Sequence, residues 1–205
     1  MSRDGDGGVV VLFALEREAA PFRRAARGWD CVRIHVTGVG RRRARAAAER
    51  ALTSPPPRLV IAAGFCGALV PDLRVGDVVS DRIISVDRLV GEPAEKRRLA
   101  EAHHALAVDM ESDAIAAVCA ERGLPFRAVR AVSDAVNTTL SPRLVLLLSG
   151  GQVSPLKALA AVARQPSLLR EFLRLARDTR LAAGNLAAEL VKVLKQQSPP
   201  AAGGL

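Results

Sequence analysis

Two short stretches place acidic side chains at the ends of apolar runs. In AVDMESDAIAAV (107–118), Asp109, Glu111 and Asp113 stand two apart and lead into a helix-like apolar segment. In RAVRAVSDAV (127–136), an apolar run closes on Ser133-Asp134, and in LFALEREAAPF (12–22) Glu16 and Glu18 follow a third such run. A carboxyl sheltered from water holds its proton closer to neutrality and can give it to a leaving group. An ionised carboxylate accepts hydrogen bonds from hydroxyls and favours a developing positive charge. Acids also gather at helix N-termini, where the helix dipole favours them. Asp109 and Asp113 are read in that structural way, and Glu111, Glu18 and Asp134 are the chemical candidates.

The elements that must position them alternate. GVVVLFAL (8–15) reads as a strand buried on both faces, followed by a helix over EREAAPFRRAAR. CVRIHVTGVG (31–40) alternates as a strand before its glycines, and RRRARAAAERAL is a helix. RLVIAAGFCGAL (58–69) is a third strand expected to run into a glycine turn at 64–68, and VGDVVSDRIISV (75–86) adds further strand. PAEKRRLAEAHH (93–104) is a short charged helix, and LPFRAVRAVSD is a strand ending at Asp134. From Ser154 the character is helical, with a stripe through Leu168, Leu169, Phe172, Leu173 and Ala176, then Leu186, Ala187, Leu190, Val191 and Leu194. Strands alternating with helices define an α/β domain with a parallel or mixed sheet. Residues 9–195 form one domain in this reading, with disordered ends at 1–8 and 196–205. Ligands of such sheets gather beyond the strands' carboxyl ends, so Glu16, Glu18, the 64–68 turn and Ser133-Asp134 are expected around one pocket.

Composition narrows the classes. The 205 residues carry a net charge of +9 and are 49% hydrophobic, enough for a full core. Only 3% are aromatic and none is Tyr, which removes the stacking platforms of a single-strand nucleic-acid binder. The arginines are scattered among acids, so nucleic acid is not expected as a partner. Cys31, Cys66 and Cys119 lack a CxxC and suit reduced thiols of a cytoplasmic protein. The N-terminal apolar run is too short for a signal peptide, and no stretch approaches a membrane span. TGVGRRRA (37–44) can cradle an anion, but a tight turn explains its glycines equally. His103-His104 reads as a solvated helix end, with no metal expected. Cys66 reads as a small packing residue.

VDMESDAIAAVCAERGLPFRAVRAVSD resembles the signature of the nucleoside phosphorylase and methylthioadenosine/S-adenosylhomocysteine nucleosidase superfamily. LVIAAGFCGALVPDLRVGDVV resembles that family's glycine turn and following strand, and LFALEREAAPF its first strand and acidic loop. The three blocks fall in order over most of residues 9–137. VDRLVGEPAEKRRLAE and SPLKALAAVARQPSLLREFLRLARDTRLAAGNLA are similar to the subgroup associated with hopanoid biosynthesis. The resemblance implies a three-layer fold with a central mixed sheet flanked by helices, shortened in its middle, and cleavage of the N-glycosidic bond of an adenine nucleoside. It implies Asp134 as the acid at purine N7, with a carboxyl raised by burial and held by Ser133. It implies Glu111 on the ribose hydroxyls, Met110 packed on the sugar, Glu18 orienting the attacking water and Arg130 near that nucleophile. Gly64 and Phe65 would lie against the substrate.

Two departures accompany the likeness. Phosphorolytic members carry an Arg before the glycine turn and a Ser within it; here Ala62 and Phe65 stand there, which weakens a phosphate site and favours water. Hydrolytic relatives also tend to have a Ser at the Phe65 position, so phosphate stays open as a co-substrate, and no other cofactor is expected. Between SVDRLV and AVDMES only about sixteen residues of helical character intervene, leaving a more open wall that suits a bulky 5′ substituent such as a hopanoid. Adenosylhopane is the expected substrate, with peripheral contact to anionic inner-membrane lipid and homo-oligomers as further expectations. The alternatives are a small-substrate methylthioadenosine-type nucleosidase or purine nucleoside phosphorylase, and a non-catalytic binder on the same fold.

Overall fold

The computed structural model describes residues 7–53, 55–140 and 167–197, and in the last helix the side chains from 173 to 196. In chain order the described elements are β1 (Val9–Phe13), α1 (Glu16–Ala25), β2 (Val32–Val36), α2 (Arg41–Ala51), β3 (Leu59–Ala68), β4 (Val78–Val79) and β5 (Ile83–Ser85). They continue with α3 (Pro93–His103), β6 (Ala107–Asp109), α4 (Ser112–Glu121), β7 (Phe126–Asp134) and α5 (Ser167–Gln197). Helices cover both faces of a mixed seven-stranded sheet. Odd residues of β1, Val9, Val11 and Phe13, pack with Ala19 and Phe22 of α1 and Leu186 and Leu190 of α5. The even residues Val10 and Leu12 face Ala44 and Ala48 of α2 and Ile115 and Val118 of α4. This two-sided burial explains why β1 is uninterruptedly apolar. Burying Leu186 or Leu190 contributes about 1.5–3 kcal/mol.

The sheet branches at β3. On one edge, β7 runs parallel to it from the Val60–Phe126 pair to Gly67–Asp134. On the other, β1 pairs parallel with residues 59–63, and β6 pairs antiparallel at Gly67 and Ala68. That edge therefore has no neighbouring strand over residues 64–66. The glycine segment expected as a turn is thus the second half of one ten-residue strand. Its glycines answer to close approach rather than to chain reversal: a Cβ on Gly64 would collide with Arg130 Nη1.

Other expectations shift in detail. Residues 75–86 form two short strands with different partners, β4 on β7 and β5 on β6. Gly7 and Gly8 are part of the fold, their carbonyls accepting from the Arg58 N–H at 2.9 and 3.1 Å. Residues 196 and 197, expected in the tail, are the last residues of α5; the remaining expected tail residues at 1–6 and 198–205, and the helical expectation at 154–166, lie outside the described residues. Leu173, placed on the buried stripe, is 61% exposed, and Ala176 is exposed too. The face of α5 turned to the protein runs through Leu175, Thr179, Ala182, Ala183 and Leu186, then Ala187 and Leu190. Among the described residues, no helix is long and apolar enough to cross a membrane.

Candidate active site

At the unpaired edge of β3 lies a cavity of about 130 Å³. Its acidic walls are Glu18, Asp109, Glu111 and Asp134, and Phe65, Met110 and Ser133 line it as well. Leu15, Val39, Leu89, Val90, Leu140 and Leu175 supply much of the apolar surface. Gly64 and Arg130 stand behind this lining.

Glu18 reaches the gap from the first turn of α1. One carboxylate oxygen accepts the N–H of Leu15 at 2.9 Å, capping its own helix, and the other accepts the N–H of Phe65 at 3.0 Å. The side chain thus takes the place of a missing strand neighbour on β3. Burial pushes its carboxyl up to about 7, against the pull of Arg130 and the two backbone donors. Each oxygen retains a lone pair, so both backbone bonds are compatible with holding a water.

Arg130 is 1% exposed, and its guanidinium is shared. Nη2 lies 2.6 Å from Asp109 Oδ2 and 3.9 Å from Glu111 Oε2, and Nε and Nη2 donate to Ser112 Oγ at 3.1 and 3.0 Å. Asp109 also accepts from the Ser85 and Ser112 hydroxyls. The expectation that Asp109 only enriches a helix N-terminus is therefore corrected: it accepts the Ser112 N–H at 3.2 Å, but it is chiefly the buried counter-ion of Arg130. Asp113, half exposed and paired with Arg41 at 2.6 Å, keeps the plainer role. One guanidinium faces three carboxyls, and Asp109 takes the shortest contact. Burial accordingly raises the Glu111 carboxyl above its ordinary value, against the pull of Arg130. Glu111 Oε1 accepts the Gly40 N–H at 2.8 Å, so the GVG loop points a backbone donor at a carboxylate of its own chain. Gly40 has φ +97°, a conformation that favours glycine.

Asp134 owes its position to a β-bulge. Cys66 pairs with Val132 but Gly67 pairs with Asp134, so Ser133 is an extra residue in the strand. In a regular strand Ser133 and Asp134 would point to opposite faces; the bulge lets both line the cavity. Ser133 Oγ, with one hydrogen, lies 2.8 Å from Asp134 Oδ1 and 3.2 Å from the Cys66 carbonyl. Asp134 is 6% exposed. Beside Ser133 it has a partner that was not expected: the fully buried Lys96 ammonium donates to Oδ2.

Lys96 escaped sequence reasoning. EKRRLAE reads as a solvated helix, yet Lys96 stands three and four residues before Leu99 and Ala100, the residues of α3 that pack on the core. That shared face was the available signal. Arg17 also went unnoticed; it lines the cavity with its guanidinium 6.0 Å from the Phe65 ring centroid. Arg41, Arg42 and Arg43 of GRRRAR instead line a separate groove with Thr37 and Asp87, and Arg45 pairs with Glu49 and Glu121. Cys66 is buried, and burial pushes its thiol far up, as suits a packing residue. Among the described residues no three His, Cys, Asp or Glu side chains are grouped to hold a metal ion.

The Phosphorylase superfamily model matches residues 7–80 and 81–150, and the chain belongs to that superfamily. A 5′-methylthioadenosine/S-adenosylhomocysteine nucleosidase of Staphylococcus aureus (strain JH9) is 33% identical over 84 residues, 40% of this chain. The matched region spans 37% of that relative's length. Among solved structures, futalosine hydrolase of Helicobacter pylori strain 26695 superposes with a TM-score of 0.70 at 14% identity, covering 95% of this chain and 100% of the other. The 5′-methylthioadenosine/S-adenosylhomocysteine nucleosidase from Neisseria meningitidis, in complex with methylthio-immucillin-A, gives a TM-score of 0.70 at 18% identity, covering 93% and 99%. These superpositions establish the shared fold.

Proposed function

We propose that this chain hydrolyses the N-glycosidic bond of an adenine nucleoside. The observation that carries the reading is the convergence of Glu18, Glu111 and Asp134 on one cavity, each anchored by a different donor set. Glu18, poised near neutrality, accepts a proton from a water whose oxygen attacks C1′. Glu111 accepts the ribose hydroxyls and favours the cationic sugar as the C1′–N9 bond breaks. The electron pair of that bond enters the purine, and Asp134 delivers a proton to N7. Met110 packs against the sugar, and Phe65 lines the cavity beside it. Arg130 and Gly64 act from behind, the first balancing the acids and the second leaving room for it. The named relatives, nucleosidases and hydrolases by description, favour water over phosphate as the acceptor.

The substrate we favour is adenosylhopane, giving adenine and a ribosylated hopanoid. The likeness of the middle and C-terminal segments to the hopanoid-associated subgroup supports this, as do the apolar cavity residues Leu89, Val90, Leu140 and Leu175. The net charge of +9 supports peripheral contact with anionic lipid, which vesicle flotation at low salt measures. Exposed Val36 on the edge strand β2 and Leu181 on α5 support a homo-oligomer, read by light scattering. The deciding experiment is adenine release, by chromatography, from adenosylhopane and from methylthioadenosine, each with and without phosphate, beside Asp134→Asn. Release from the hopanoid without phosphate, lost in the variant, is the expected result. Release from methylthioadenosine alone discards the lipid, a phosphate requirement discards hydrolysis, and no release from folded protein leaves a binder.

A further inference from the structure

Lys96 is a cation with no exposed surface, delivered by the helix that makes up the short middle of the chain. Its Nζ has three partners: Asp134 Oδ2, the Ala135 carbonyl at 2.9 Å and the Thr138 carbonyl at 3.4 Å. The two carbonyls can only accept, and an amine that has lost one proton still has two N–H groups to give them. Asp134 is the one partner able to take a proton and donate it back to the emptied lone pair. Both protonation states therefore satisfy the same three contacts without any atom moving far. A lysine that served only as counter-ion would not need this property.

We propose that Lys96 is the positioning residue through which the leaving purine receives its proton. The inference rests on the nucleosidase reading and deepens it. As C1′–N9 breaks, its electron pair enters the purine, and N7 takes a proton from the Asp134 carboxyl. That proton reaches Asp134 from the Lys96 ammonium, which becomes a neutral amine, so the pair is left as a carboxylate beside an amine. The water that attacks C1′ gives its proton to Glu18. After release of adenine, Lys96 regains a proton and Glu18 loses one to solvent, so the cycle closes without any further reactant. Groups facing the pair leave this path intact. From β3 comes the Cys66 thiol, kept neutral by burial. Across the cavity stand Glu18, Asp109 and Glu111, with Arg130 shared among them. From α5 come the uncharged Leu175 and Thr179, and rim Arg88 is engaged by Glu95. Arg97, beside Lys96 on α3, is exposed and donates to Asn137 Oδ1.

The test compares the full-length wild type with Lys96→Met and Lys96→Arg, measuring kcat and KM for adenine release from pH 5 to 10, with thermal melts to confirm folding. A guanidinium can replace the counter-charge but does not give up its proton. The expected result is a fall in kcat of about 10²-fold in both folded variants at pH 8 with KM changed by less than about threefold. In Lys96→Met the loss of kcat grows with pH, because the proton that N7 takes is no longer supplied from within the site. Recovery of wild-type kcat and profile by Lys96→Arg, or an equal loss at every pH in Lys96→Met, would overturn the proposal while leaving the nucleosidase reading standing. If Lys96→Met does not fold, Lys96→Arg decides by its kcat alone. A folded wild type that releases no adenine from either nucleoside sinks both readings together.

Discussion

Replacing Arg130 by Met removes the one cation that Asp109, Glu111 and Glu18 share, together with two donors to Ser112 Oγ. Removing one partner of a buried pair costs about 3–5 kcal/mol, a large share of the 5–15 kcal/mol by which domains are ordinarily stable. The loss must depend on pH. Glu18 already titrates at about 7 instead of 4.5, so the folded chain holds that proton more tightly than the unfolded one. The stability this confers is fully present below about pH 4.5 and is lost as the pH rises through about 7. Without Arg130 the Glu18 and Glu111 carboxyls climb further, and each added unit costs about 1.4 kcal/mol at alkaline pH. Urea unfolding followed through the single tryptophan, Trp29, which packs against the core, reads the effect at pH 5, 7 and 8.5. The variant should lose about 3–5 kcal/mol at pH 8.5 and visibly less at pH 5, with an unchanged denaturant slope. A loss under about 1 kcal/mol at pH 8.5, or one equal at pH 5, would refute the role of Arg130 as shared counter-ion.

Two further outcomes follow from the same geometry. If Glu18 must be ionised to accept a proton from water, adenine release rises with pH through about 7. At pH 6 it should run near one tenth of its plateau, and in Glu18→Gln both the limb and about 10²–10⁴-fold of the rate should disappear; a limb that survives the substitution belongs to another group. Gly64→Ala puts a methyl into Arg130 Nη1 and 3.2 Å from both Glu18 oxygens. It should cost about 1–3 kcal/mol of stability, and less on an Arg130→Met background; equal costs on both backgrounds would mean the guanidinium is not what the methyl meets.

Glu18, Glu111 and Ser133-Asp134 were legible because each closes an apolar strand or opens a helix, where local pattern and family likeness coincide. Their partners were not. Lys96 sits in EKRRLAE beside two exposed arginines, and only the packing of Leu99 and Ala100 decides that its face turns inward. The Asp109–Arg130 pair joins β6 to β7, strands with β3 between them, so no spacing along the chain announces it. Gly64 and Gly67 looked like turn residues because glycine usually ends a strand; here the requirement is lateral, set by a side chain crossing from β7. Leu173 misled for the opposite reason, since an apolar residue at helical spacing need not face the core.

The placement of Glu18 against an unpaired stretch of β3 couples a backbone amide to chemistry. The Phe65 N–H has Glu18 Oε1 as its acceptor at 3.0 Å. Its strength as a hydrogen bond must therefore follow the charge on that carboxylate. Protonation of Glu18 weakens the bond, so the ¹⁵N resonance of Phe65 should titrate with the same midpoint as the carboxyl, and its hydrogen exchange should quicken on the acid side once the intrinsic pH dependence is removed. Sheet and site here are one electrical unit. A substrate that changes the protonation of Glu18 on binding would be felt in the main chain of β3 before any atom of the sugar is altered.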